Sequence, residues 1–157
     1  MTFGLYVLPV AGGMLALSPC PGKGGHFEAD LAQVLGWAPS QVISMTGVDE
    51  MAAMGAQGLG AALDRAGVAW AHAPVEDYGV PGSQTNWPVV AAQARAVLSA
   101  GGRVLVHCMG GCGRSGMAAL RLMVDSGEAP VAALLRLRAV RPCAVETEAQ
   151  RIWASTP

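Results

Sequence analysis

Residues 107–116 read His-Cys-Met-Gly-Gly-Cys-Gly-Arg-Ser-Gly, and Cys108 and Arg114 bracket five residues, three of them glycine. Glycine lets consecutive backbone N–H groups curl inward around an anion. Arg114 adds a planar fork of donors matched to phosphate oxygens. An electropositive turn of this kind favours the thiolate of a cysteine held in it, and a thiolate beneath a phosphate cradle can attack a phosphoester. The bland alternative is a buried structural cysteine beside a glycine turn.

Positioning such a group takes a strand before it and a helix after it. The apolar run Val104-Leu105-Val106 ends the strand expected over Arg103–His107, and Met117–Val124 reads as a buried helix whose N-terminus adds a positive dipole end to the cradle. Further strands are expected at Leu5–Val7 and Met14–Leu17, as a hairpin around Gly12-Gly13, and at Gln41–Met45 and Val68–His72. Helices are expected at Phe27–Leu35 ending at Gly36, at Asp49–Met54, at Leu59–Ala66 and at Thr147–Ala154. One more follows the stripe Trp87, Val90, Ala91, Ala94, Val97 and Leu98, and another begins at Pro130 and ends before Pro142. Pro74–Gln84 reads as a loop. Strands alternating with helices imply an α/β fold, a single three-layer domain over residues 1–157, with a mostly parallel central sheet and helices on both faces.

Two other phosphate motifs overlap the segment. Gly111, Gly113 and Gly116 spell G-x-G-x-x-G, but a dinucleotide site needs an acid at the end of the next strand. No acid lies between Glu128 and Glu146, and the intervening stretch reads as helix. A Walker loop needs Lys then Ser or Thr after its last glycine, whereas Met117 and Ala118 follow here.

A chain of 157 residues can bury a proper core. Its net charge of −1 favours neither nucleic acid nor an anionic membrane. Charged residues make up 13% of it, against the usual ~25%, so the expected molecule is compact and rather apolar. No run approaches the ~20 apolar residues of a membrane span. Phe3–Leu17 lacks the basic start of a secretory signal, since the first cation is Lys23. Of four cysteines, Cys108 must stay a free thiol, which points to a reducing, cytoplasmic setting.

His-Cys-x5-Arg-Ser resembles the signature of cysteine-dependent protein tyrosine and dual-specificity phosphatases. Pro-x-x-Asp-x-x-x-Pro, from Pro74 to Pro81, is similar to a segment of cyclin-dependent-kinase-associated phosphatases and their bacterial relatives, as are Leu17–Lys23 and Arg141–Gln150. The resemblance implies the protein tyrosine phosphatase-like fold and metal- and cofactor-free hydrolysis of a phosphomonoester through a phosphocysteine. Cys108 would be the nucleophile. Arg114 and the backbone N–H groups of Met109, Gly110, Gly111, Cys112 and Gly113 would hold the phosphate. Asp77 would be the general acid, with Glu76 as its bland alternative and Asp49 or Glu50 next in turn. His107 would orient the loop, Ser115 would assist the thiolate's departure, and Gln150 would place the hydrolytic water or simply lie on a helix surface. A phosphorylated protein, carrying phosphotyrosine and also phosphoserine or phosphothreonine, or another phosphomonoester is the expected partner. A rhodanese-like sulfurtransferase and an inactive phosphoprotein-binding module are the rival readings.

Two positions depart from the family pattern. Cys112 stands where cysteine is unusual, and Cys143 replaces a glycine, which puts that loop's backbone shape in question. Cys112 would trap oxidised Cys108 as a disulfide, or would be a small side chain tolerated in the loop. Cys20 and Cys143 are expected to be packed or incidental, and His26 and His72 structural. Lys23 is expected to be a solvated loop lysine, with reach to the phosphate site as its alternative, Trp87 to be core, and Tyr78 to flank the pocket mouth.

Overall fold

Five strands and seven helices follow one another along the chain in the computed structural model, which describes residues 2–157. β1 (Tyr6–Val10) and β2 (Gly13–Ser18) form an antiparallel hairpin. Ala11 and Gly12, both at positive φ, make its tight turn, the backbone that twisted two-residue hairpins demand. Then come α1 (Phe27–Trp37), β3 (Gln41–Ser44), α2 (Val48–Ala53), α3 (Leu59–Arg65), β4 (Ala69–His72), α4 (Trp87–Ser99), β5 (Arg103–His107), α5 (Gly113–Asp125), α6 (Pro130–Val140) and α7 (Glu148–Ser155).

The sheet runs β1-β2-β5-β3-β4, with every pair parallel except β1–β2. Strand side chains alternate between faces, so the sheet feeds two cores. Leu15, Leu17, Ile43, Val104 and Val106 pack with α4, α5, α6 and α7 on one side. Ala16, Val42 and Leu105 pack with α1, α2 and α3 on the other. β5 is central and fully covered, which is why its Val104–Val106 core reads as an unbroken apolar run. No helix of the described residues is long and apolar enough to cross a membrane.

Two local expectations are corrected. α1 does not stop at Gly36 but at Trp37, where Ala38 turns left-handed and its N–H caps the Leu35 carbonyl. One glycine costs a helix only about 1 kcal/mol, and Pro39 supplies the stop. β1 runs through Pro9, opposite Met14, because an edge strand need not donate a hydrogen bond at every residue.

Candidate active site

Cys108 follows the last residue of β5, and Gly113 opens α5, so residues 108–114 span a strand end and a helix start. Ser18 pairs with His107 in the sheet, and the chain after Ser18 lies against the loop. A Cβ on Gly111, which sits at φ 72°, would collide with the backbone of Ser18 and Pro19. A Cβ on Gly113 would collide with the Glu146 carboxylate, with the Gln150 amide close by. Backbone approach thus requires glycine at Gly111, whereas at Gly113 the exposed Glu146 side chain would have to swing aside. The buried Cys108 thiol lies 3.2 Å from the Ser115 hydroxyl.

Arg114 is the largest side chain the fold buries completely. Its Nη1 and Nη2 each donate at 2.8 Å to Glu50, one to each carboxylate oxygen, and Nη1 also donates to the Val75 carbonyl at 2.9 Å. Burial is the largest single influence and works against the guanidinium charge, but the Glu50 hydrogen bonds and the charges of Cys108, Glu50 and Asp77 together outweigh it, and Arg114 titrates above its ordinary value. The same hydrogen bonds, against some burial, hold Glu50 below the usual carboxylate value. Arg114 Nε is buried and has no hydrogen-bond partner among the described residues. A buried donor left unmade costs about 1–3 kcal/mol. One end of the guanidinium is therefore consumed by Glu50, while Nε keeps a donor that an oxyanion would satisfy.

Asp77 sits on the loop after β4, its side chain half exposed, with a carboxylate oxygen 3.5 Å from Arg114 Nη2. That oxygen also accepts from the Tyr78 N–H at 3.1 Å. Tyr78 adopts a left-handed backbone and is exposed at the mouth. Glu76 makes no ion pair among the described residues. Gln150 is fully buried. Its Oε1 accepts from Glu146 N and Thr147 N, capping α7, and its Nε2 donates to the Gly79 carbonyl of the Asp77 loop at 3.2 Å. The helix-surface alternative for Gln150 is therefore wrong. Lys23, the chain's only lysine, places Nζ beside Gly110.

His107 is fully buried, and burial, opposed by its hydrogen bond to the Cys108 backbone, pushes its pKa down to about 4. Because a carbonyl can only accept, Nδ1–H donates to Cys108 O at 3.1 Å. Nε2 then accepts the Ser44 hydroxyl at 2.6 Å, and Ser44 Oγ accepts the Trp70 indole N–H at 2.8 Å. Neutral His107 thus links the outer strand β4 to the cysteine's own peptide. Between pH 6.5 and about 4 the unfolded chain gains a proton at this residue that the folded chain refuses. Stability is therefore present above 6.5 and lost as pH falls through that window. Denaturant melts at both ends should differ by about 3 kcal/mol from this source, and His107→Gln should flatten that part of the curve.

The sequence missed two features. Glu50 appeared only as a fallback acid, whereas it is the fixed carboxylate partner of Arg114, 64 residues away; its place in α2, the helix that follows β3, was the available signal. The second concerns the cysteines. Cys112 is not poised as a partner for Cys108. It forms a disulfide with Cys143, with Cα atoms 5.1 Å apart, while Cys20 and Cys108 are free. The α6–α7 connection lies directly on the loop, with Val145 N–H donating to Cys112 O, so Cys143 and not Cys108 meets the Cys112 sulfur. Cys143 is accordingly neither packed nor incidental, and within this loop it is Val145, at φ 67°, that adopts the left-handed backbone. A chain carrying this disulfide no longer supports a reducing compartment merely because Cys108 is free. Cys20 is a packed thiol as expected, pushed up to about 12 by burial and by neighbouring Cys108.

A model of the family described as "Polymorphic toxin system, DSP-PTPase phosphatase" matches residues 42–128, which include Asp77 and the whole cysteine loop. No curated protein matches the chain. Among solved structures, kinase-associated phosphatase with its catalytic cysteine changed to serine superposes with a TM-score of 0.85 at 18% identity, covering 98% of this chain and 93% of that one. Tk-PTP in its active form gives 0.69 at 28% identity, covering 88% and 87%. PTPMT1 in complex with PI(5)P gives 0.74 at 18% identity, covering 96% and 92%. The fold is theirs, the family model spans more than half the sequence, and the chain therefore belongs to the DSP-PTPase phosphatase family of polymorphic toxin systems, within the cysteine-dependent dual-specificity phosphatases.

Proposed function

We propose that this cysteine-based phosphatase hydrolyses phosphomonoesters on proteins in two in-line steps. The observation that carries the reading is the pairing of a free Cys108 thiol with a buried, unpartnered Arg114 Nε–H across a loop of backbone donors. Cys108 attacks phosphorus and forms a phosphocysteine. Arg114 and the N–H groups of residues 109–114 hold the equatorial oxygens as charge redistributes. Asp77 leaves Arg114 as the phosphate arrives, takes up a proton from solvent and passes it to the leaving oxygen. Its carboxylate then takes a proton from the attacking water, which the second N–H of Gln150 Nε2 helps to hold. Ser115 donates to the departing thiolate, and His107 fixes the Cys108 peptide.

Asp77 is half exposed and Tyr78 exposed beside the loop, which favours a shallow rim. A shallow rim admits phosphoserine and phosphothreonine as well as phosphotyrosine. A panel of these phosphopeptides and an inositol phosphate, assayed in chelator, tests the substrate class. Acid quench during turnover followed by peptide mass analysis should find phosphate on Cys108. Thiosulfate-dependent cyanide consumption would instead identify a sulfurtransferase, and phosphopeptide binding without turnover a binding module. The family's toxin context adds a cellular test: expression should slow the growth of a susceptible cell, and Cys108→Ser should relieve it.

Arg114→Lys should lower turnover by roughly 10²–10³-fold although charge is retained. One ammonium cannot hold Glu50 with one edge and phosphate with the other. Near-normal steady-state rates would remove Arg114 from the clamp.

A further inference from the structure

We propose that the Cys112–Cys143 disulfide is a redox switch that keeps the phosphate cradle competent, so that reducing it weakens phosphate binding. The proposal rests on the cradle reading given above. The two departures from the family pattern are accounted for by one bond, because each cysteine is the other's partner.

The surroundings supply both the chemistry and the direction. Cys143 is exposed and Cys112 half-buried, so a small dithiol reaches the Cys143 sulfur first. Its thiolate attacks that sulfur, the S–S bond breaks, and the electron pair leaves on Cys112. A second thiol of the reductant then closes its own disulfide and frees Cys143. Two electrons and two protons pass from the dithiol to the protein. Arg141 favours Cys112 as the leaving group, since its Nη2 lies 3.8 Å from Cys112 Sγ, and a nearby cation lowers a thiol's pKa.

In the disulfide form the same guanidinium serves the cradle. Arg141 Nε donates to Gly111 O at 3.1 Å and Nη2 to Gly110 O at 2.9 Å. A freed Cys112 thiolate competes with those carbonyls for Arg141 and adds negative charge to a loop that must bind a phosphate anion. Both effects oppose phosphate. The remaining ties, among them Val145 N–H to Cys112 O, hold the segment in place, so the fold survives while affinity falls.

The test is inorganic phosphate binding by calorimetry, before and after dithiothreitol, beside thiol counting and far-UV circular dichroism. The oxidised protein should show two free thiols, Cys20 and Cys108. Reduction should weaken phosphate binding by roughly fivefold or more, the lower end of usual site-to-site coupling. Reoxidation should restore it. Cys143→Ser should bind weakly with or without the dithiol. Hydrolysis of an aryl phosphate should fall in step, opposite to the usual protection of a thiol enzyme by reductant. The proposal is overturned if reduced wild type and Cys143→Ser bind phosphate as tightly as the oxidised protein, if reductant raises activity, or if all four thiols count as free after oxidative refolding. Binding is read without turnover, so a protein that binds but does not hydrolyse would refute the function while still deciding the switch.

Discussion

Cys108→Ser should abolish hydrolysis of an aryl phosphate, by roughly 10⁴-fold or more, while inorganic phosphate still binds. Serine preserves the shape of the buried position and its contact with Ser115, 3.2 Å away in the native protein. It does not preserve the nucleophile, because a hydroxyl stays protonated where a thiol ionises. The cradle is untouched: the backbone donors, Arg114 and the Glu50 carboxylate behind it all remain. Binding without turnover is therefore the expected signature, and chelator should change neither protein. Substantial activity in the serine variant, or a metal requirement in wild type, would sink the thiolate mechanism.

Asp77→Asn should lower turnover by roughly 10²–10⁴-fold on a substrate with a basic leaving group. The loss should shrink when the leaving group is already a stable anion and needs no proton. The alkaline limb of the pH profile, where the acid has lost its proton before the first step, should flatten, and the acidic limb should persist. Glu76→Gln should do little of this, since Asp77 and not Glu76 approaches Arg114. If the Glu76 variant shows the leaving-group dependence instead, the acid lies one residue earlier. Glu50 is not the reserve candidate it resembled, because its two oxygens are committed to Arg114.

What the sequence made legible is what local rules encode. The glycine loop between an apolar strand and a buried helix, the alternating strands and helices, and the carboxylate on the loop after β4 all announce themselves within a few residues. The boundaries at Gly36 and Pro9 failed because one unfavourable residue costs less than the packing around it contributes. The Glu50–Arg114 pair, the Trp70–Ser44–His107 chain and the Cys112–Cys143 bond join residues 26 to 64 positions apart. Only the closed fold brings such partners together, and cysteine counting cannot choose among pairings.

The order of the chain has its own consequence. The proposed nucleophile, cradle and acid are all present once residue 116 has been made. The groups that steady them arrive afterwards: Arg141 on the Gly110 and Gly111 carbonyls, Cys143 on Cys112, and Gln150 reaching back to Gly79. A ribosome-bound chain halted near residue 140 therefore carries every reacting group and none of these supports. On the proposed mechanism, the reacting groups are therefore made early in synthesis and their supports late, when the final helix docks.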